Sequence, residues 1–242
     1  MKPHPHEMPP GDLKSGVAIV TVGLLEIQGA FLEHRVALQK AARLLSKPID
    51  LHLVEVRTAE QLRPEMDALI IPGGESTTIS IYLKRNSMEE PLRHWVQNPD
   101  HVTWGTCAGM ILLSKLTENQ KQGGQSSLAV MDIDVSRNYF GRQVQSFEAD
   151  VRMSDSSLNK AFKKDTFQDT FPGVFIRAPA ILKLLSDDVK VLATVSDPNT
   201  GAKVIVAAQQ DNMISTAFHP ELTEDCAWHV YFLEQIVNKK AT

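Results

Sequence analysis

HVTWGTCAGMILLSKL, residues 101–116, joins an apolar β-rich run to an apolar helical run through Gly105-Thr106-Cys107-Ala108-Gly109. The pattern predicts a strand over 101–105 and a helix over 107–116, with the cysteine on the turn between them. This is a G-x-nucleophile-x-G elbow in which sulfur takes the nucleophile position. A bend this sharp requires small residues two positions to either side, since larger side chains would collide there. The helix N-terminus brings partial positive charge to the sulfur and favours thiolate. The Ala108 N–H points to where an oxyanion would form. Taken alone, the segment also reads as a buried structural cysteine at a glycine-rich turn.

Similar junctions recur upstream. Residues 16–24 (GVAIVTVGL) read as a buried strand, Gln28-Gly29 as a turn, and 30–45 as a helix with Phe31, Leu38, Ala41, Ala42 and Leu45 on one face, stopped by Pro48. Strands are predicted over 51–56 and 67–71. Pro72-Gly73-Gly74 then turns the chain into a helix from about Ser76, and a further helix covers 90–97. Strand–helix alternation with short connections predicts an α/β domain whose parallel sheet is covered on both faces. After about residue 128, strand-like runs dominate: 130–135, 143–151, 189–195, 204–208 and 213–218. They predict an antiparallel extension of the same sheet, closed by a helix over about 223–239. Residues 154–172 are polar and read as a surface loop with one short helix. Residues 1–15, rich in Pro and His, read as a flexible tail, and 16–242 as one domain.

The composition fits this reading. The 242 residues are 43% hydrophobic and 22% charged, enough for a sizeable core. A net charge of -4 argues against nucleic acid as the main partner. Two cysteines exclude a disulfide-stapled scaffold and fit a reducing compartment. The longest apolar stretch, 17–27, is interrupted by Thr21 and Glu26 and falls well short of the ~20 residues a bilayer span needs. The N-terminus lacks the apolar core of a secretory signal. A cytoplasmic protein that binds no membrane is therefore expected.

A thiolate nucleophile needs a base and a group to orient that base. His219-Pro220-Glu221 offers both at the end of an apolar run, because residues i and i+2 of an extended segment point the same way. Glu221 is equally explained as a carboxylate near a helix start, but that leaves His219 without a role. In Pro72-Gly73-Gly74-Glu75-Ser76-Thr77-Thr78 the two glycines permit close backbone approach to a ligand and a second oxyanion N–H. A phosphate loop is excluded because no Gly-Lys-Ser/Thr follows. Cys226 and His229 form a Cys-x-x-His half-site with no second pair nearby, so no metal is expected. His4 and His6 belong to the tail, His34 and His52 read as structural or surface residues, and His94 lies on a polar helix face.

The order GGES, GTCAG, HPE resembles class I (triad) glutamine amidotransferases. The wording of QGAF (28–31), PGGESTT, WGTCAG, RNYFGRQ (137–143), SFE (146–148), FIRAP (175–179) and FHPELT is similar to the glutaminase subunit of pyridoxal 5′-phosphate synthase, the PdxT/SNO family. The resemblance runs from about Gly16 to the C-terminus, and its most specific parts are RNYFGRQ and IRAP. It implies a three-layer α/β/α, flavodoxin-like fold with a mostly parallel sheet, and glutamine hydrolysis by Cys107, His219 and Glu221. It also implies an oxyanion hole from Gly74 and Ala108, and a glutamine site lined by Gly74, Glu75, Ser76, Arg137, Ile176 and Arg177. No cofactor is implied. The implied partner is a (β/α)₈-barrel synthase in a large hetero-oligomer, with Gln28 at the coupling surface. The arginines make chemical sense, since guanidinium binds an amino-acid carboxylate bidentately. Two departures stand out: Glu26 replaces a small residue, and Ala129-Val130 replaces Gly-Gly. Competing readings are a glutaminase for the histidine or purine pathway, a non-catalytic regulatory paralogue, and a DJ-1-like cysteine protein.

Overall fold

The computed structural model describes residues 17–118, 127–141, 146–154, 170–197 and 200–241. The expected tail 1–15, most of the expected loop 154–172, and Arg142 and Gln143 lie outside them. In the N-terminal half, β1 (Ala18–Leu25) leads to α1 (Phe31–Ala42) and β2 (Ile49–Val56). Next come β3 (Ala68–Ile71), α2 (Ser76–Arg85), α3 (Glu89–Gln97), β4 (Val102–Thr106) and α4 (Ala108–Leu113). Then follow β5 (Ser114–Glu118), β6 (Met131–Ser136), β7 (Ser146–Met153), β8 (Thr170–Ile176) and β9 (Ala180–Leu184). β10 (Lys190–Ser196), β11 (Lys203–Gln210), β12 (Met213–Thr216) and α5 (Ala227–Lys240) complete the described elements.

Pairing orders these strands β2-β1-β3-β4-β12-β11-β10-β7-β8. The first five are parallel to one another. From β11 onward the neighbours are antiparallel, which gives the expected extension. The order β2-β1-β3-β4-β12 is that of a flavodoxin-like sheet, in which ligands bind beyond the carboxyl ends of the strands at the β1/β3 reversal. α1 packs on α5, and α2 on α4. Right-handed crossovers leaving β1 toward β2 and β3 toward β4 put these pairs on opposite faces. β3, β4 and β12 are buried throughout, as strands covered on both faces must be.

Several expectations need correction. The helix after Cys107 ends at Leu113 rather than running to 116, because Ser114 starts a strand that pairs in parallel with β6 and its Oγ caps the Ile111 carbonyl at 2.8 Å. β8 was not anticipated, and neither were β5 and β9. The last two are short, and β9 joins the main sheet only at Ile181–Ile205. The end of the expected loop 154–172 is in fact strand, since residues 170–172 pair with 150–152 of β7. The first helix stops at Ala42, before Pro48, and the last begins at Ala227 after a 3₁₀ turn over Pro220–Leu222. Glu26 is buried, and Arg35 and Arg57 both pair with it, the Arg35 Nε at 2.6 Å. Ala129 takes φ +52°, a left-handed conformation that glycine adopts without strain.

Candidate active site

Four loops meet at the carboxyl ends of the parallel strands. They leave β1 (Gln28-Gly29-Ala30), β3 (Gly73-Gly74-Glu75), β4 (Cys107) and β12 (His219). Together with Arg137, Ile176 and Arg177 they line a cavity of 330 Å³. The sequence patterns at 28, 72–76, 105–109, 137, 176–177 and 219 thus converge on one place.

Cys107 sits at φ +48°, ψ −99°, a strained conformation for a residue with a Cβ. Its glycine neighbours are a steric necessity. A Cβ on Gly105 would lie 2.6 Å from the Gly109 carbonyl carbon, and one on Gly109 would lie 2.1 Å from the Ile71 carbonyl oxygen. The Cys107 amide donates to the Thr216 carbonyl at 2.7 Å, fixing the elbow to β12. Ala108 opens α4, so its N–H has no intrahelical acceptor.

His219 is held from the other side. Its amide donates to the Val174 carbonyl of β8 at 2.8 Å, and its Nδ1 lies 2.8 Å from Glu221 Oε1. The rings and carboxylate are buried. Burial alone pushes the His219 imidazole down, but hydrogen bonds and charge from Cys107 and Glu221 outweigh it and raise the group to about 10. The proton is thereby favoured on the His219 ring, which sits between the Cys107 sulfur and the Glu221 carboxylate. Burial would raise the Glu221 carboxyl. His34 and His219 overcome that and hold it below its ordinary value of 4.5.

Gly73 carries no side chain because a Cβ there would lie 2.3 Å from His219 Cε1 and 3.2 Å from the Cys107 Cβ. Its amide donates to Thr106 Oγ1 at 2.9 Å, and its carbonyl accepts from Ala30 at 3.4 Å. A planar trans peptide therefore turns the Gly74 N–H away from the Ala30 turn. Gln28 Oε1 accepts from the Glu75 amide at 2.7 Å, tying the β1–α1 turn to the Gly-Gly loop.

The remaining expected site residues divide by role. Glu75 caps α2, accepting from the Thr77 and Thr78 amides. Arg137 donates to Ser76 Oγ at 3.0 Å and to Thr77 Oγ1 at 3.2 Å, so its guanidinium bridges to the start of α2. Ile176 places its carbonyl 4.0 Å from the Cys107 sulfur. Arg177 is exposed, at φ +43°. Asn138 was not singled out from the sequence. With its amide nitrogen turned toward them, it donates to the carbonyls of Arg137 at 3.2 Å and Arg177 at 3.0 Å. An aromatic column backs this wall: Phe140, Phe147 and Phe175 are in mutual contact, and Phe175 leads through Phe218 to Trp228. The Cys226–His229 pair divides its contacts, since His229 Nε2 lies 2.9 Å from His34 Nδ1 and the Cys226 sulfur faces the Glu224 carbonyl. His52 pairs with Asp50 in solvent, and His94 is exposed.

Fold and site define the class: a doubly wound α/β protein with a cysteine elbow facing a carboxylate-backed histidine. The chain belongs to the SNO glutamine amidotransferase family, whose model matches residues 24–238. It is 41% identical to the pyridoxal 5′-phosphate synthase subunit PdxT of Methanopyrus kandleri, over 89% of this chain and 99% of that protein. It is 40% identical to the pyridoxal 5′-phosphate synthase subunit SNO1 of Saccharomyces cerevisiae, over 93% of this chain and 96% of that one. A solved structure described as a glutamine amidotransferase superposes with a TM-score of 0.72 at 39% identity, covering 89% of this chain and 98% of its own. No helix among the described residues is long and apolar enough to cross a membrane.

Proposed function

We propose that this protein hydrolyses L-glutamine to L-glutamate and ammonia and supplies the ammonia to a pyridoxal 5′-phosphate synthase. The observation that carries the reading is the convergence of Cys107 and His219 on one cavity, with Glu221 2.8 Å from His219 Nδ1 and Gly73 close against both the cysteine and the imidazole.

The Cys107 thiolate attacks the side-chain amide carbon of glutamine, forming a C–S bond and an oxyanion that the Gly74 and Ala108 N–H groups stabilise. One such donor is worth about 10²–10³ in rate. His219 gives its proton to the amide nitrogen as the C–N bond breaks, and ammonia leaves. The neutral imidazole then takes a proton from water as the oxygen attacks the γ-glutamyl thioester. Breaking the C–S bond returns the thiolate and the protonated imidazole. Glu221 fixes the His219 tautomer throughout. Arg177 faces the substrate α-carboxylate, while Glu75, Ser76, Arg137 and Ile176 shape the walls around the amino-acid end.

The relatives' names favour the vitamin B6 route over a histidine or purine pathway, and an intact triad is not needed by a purely regulatory paralogue. The family resemblance implies a cytoplasmic hetero-oligomer with a (β/α)₈-barrel synthase. Docking would act through Gln28, whose side chain already holds the Gly-Gly loop. A coupled assay tests this: glutamine in, ammonia and pyridoxal phosphate out, with and without the barrel subunit. The expected result is ammonia release that rises when the barrel is added. Release insensitive to the barrel would point to another synthase, and no release from glutamine would remove the enzyme reading.

A further inference from the structure

Behind the triad lies a second set of buried groups that the chemistry above does not use. His34, one turn into α1, and His229 on α5 are both fully buried. His34 Nδ1 lies 2.9 Å from His229 Nε2. His34 Nε2 lies 3.3 Å from Thr106 Oγ1 and 3.4 Å from Glu221 Oε2. Among the described residues, Glu221 Oε2 and His229 Nδ1 have no hydrogen-bond partner that meets strict geometry.

Proton placement along this chain is decided by which polar atoms would be stranded. With the proton on His34 Nε2, that N–H meets the Thr106 hydroxyl oxygen and brings its positive end to within reach of the Glu221 carboxylate, 3.4 Å from the nitrogen. His34 Nδ1 then accepts from His229 Nε2–H, and the stranded atom, His229 Nδ1, is a bare lone pair. The reverse tautomers let the Thr106 hydroxyl donate to His34 Nε2, but they set that lone pair beside a carboxylate and strand a buried His229 N–H, the costlier orphan. Burial, the largest influence on both rings, lowers their pKa values and so favours the neutral form of each. The titratable groups facing His34 are Glu221 and His219 from the turn after β12, His229 from α5, and Glu33 on its own helix.

We infer that His34 is a positioning residue for the catalytic carboxylate: its Nε2–H, locked in place by His229, steadies Glu221 Oε2 while Oε1 orients His219. The same N–H reaches Thr106, which precedes Cys107 and accepts the Gly73 amide. One imidazole thus touches Thr106, beside the proposed nucleophile, and Glu221, and through the Thr106 hydroxyl it is linked to the Gly73 amide. This inference rests on the glutaminase reading.

The test compares wild type, His34→Leu, His34→Gln and His229→Phe in glutaminase assays with the barrel subunit present, across pH. Leu keeps the bulk and removes the donor. Its kcat should fall about tenfold, as for lost groups that orient a ligating or catalytic side chain. KM for glutamine should stay within about twofold of wild type, since His34 does not line the cavity. The acid limb of kcat should move to higher pH, because Glu221 loses the His34 N–H dipole beside Oε2, which favours the charged carboxylate. Gln, which can place an N–H at the Nε2 position, should restore most of the rate and the limb. His229→Phe should shift kcat in the same direction by less, and it keeps the test alive if His34→Leu fails to fold. A folded His34→Leu enzyme with wild-type kcat and acid limb would overturn the inference, as would a Gln variant no better than Leu. If wild type itself releases no ammonia, the glutaminase reading fails first and takes this one with it.

Discussion

In the parallel half of the sheet, β3, β4 and β12 are buried at every position, and the loops leaving them hold Gly73, Cys107 and His219. In the other half, β6 and β8 alternate between buried and accessible residues, and the turns at their ends hold Arg137 and Arg177. The first set cannot shift without disturbing a core packed on both faces. The second rests on an aromatic column on one side and meets solvent on the other. Under the proposed function, bond-making would fall to the parallel half and substrate capture to the flank. Changes in the first should therefore lower kcat, and changes in the second should raise KM.

Glu221→Gln should have the largest effect. It keeps the shape but removes the charge that fixes the His219 tautomer, and a loss of up to about 10⁴ in kcat is expected. Steady-state ammonia release measures it, and a variant within tenfold of wild type would break the assignment. Gly73→Ala should follow. The new Cβ would lie 2.3 Å from the His219 ring, and displacing the base by about 1 Å costs on the order of 10² in rate. Its far-ultraviolet spectrum should be unchanged. On the flank, Arg177→Ala should raise KM about 10- to 100-fold through loss of a charged hydrogen bond, with kcat nearly intact. A fall in kcat at constant KM would erase the distinction between the halves.

The pH profile gives a further test. His219 is raised to about 10, so the proton it would give to ammonia under the proposed function is present at neutral pH and lost as pH climbs through that value. The stabilisation from the His219 pairing should be complete below about 6.5, the free-imidazole value, and disappear over the same rise. Glu221 is depressed, so its contribution holds above its ordinary 4.5 and fails as pH drops through the lowered value. Chemical denaturation across pH measures both limbs. The smallest effect belongs to the edge of the parallel half. Arg35→Ala leaves buried Glu26 with Arg57 as its remaining guanidinium, and urea melts should show a loss of about 1–3 kcal/mol.

The parallel half was the more legible from sequence because burial on both faces produces unbroken apolar runs, and close packing against ring and backbone atoms requires glycine at 73, 105 and 109. Cys107, His219 and Glu221 stood out as a proposed set because their chemistry has few other uses at those positions. β5 and β9 were hidden because a short strand that joins the sheet at its periphery leaves too few residues to set a period. The helix after Cys107 looked longer than it is because apolar residues continue straight into β5. Asn138 and the His34–His229 pair were missed as site components for a different reason. Their partners are carbonyls and side chains far away in the chain, and no local spacing encodes such contacts. Glu26 looked out of place until Arg35 and Arg57 were found beside it.

The most direct test of the central claim is intact-protein and peptide mass spectrometry after treatment with a glutamine-mimicking electrophile. One adduct should form, on Cys107, with Cys226 unmodified and glutamine protecting. Labelling of Cys226 in its place, or a Cys107 that ignores both the reagent and glutamine, would contradict the account.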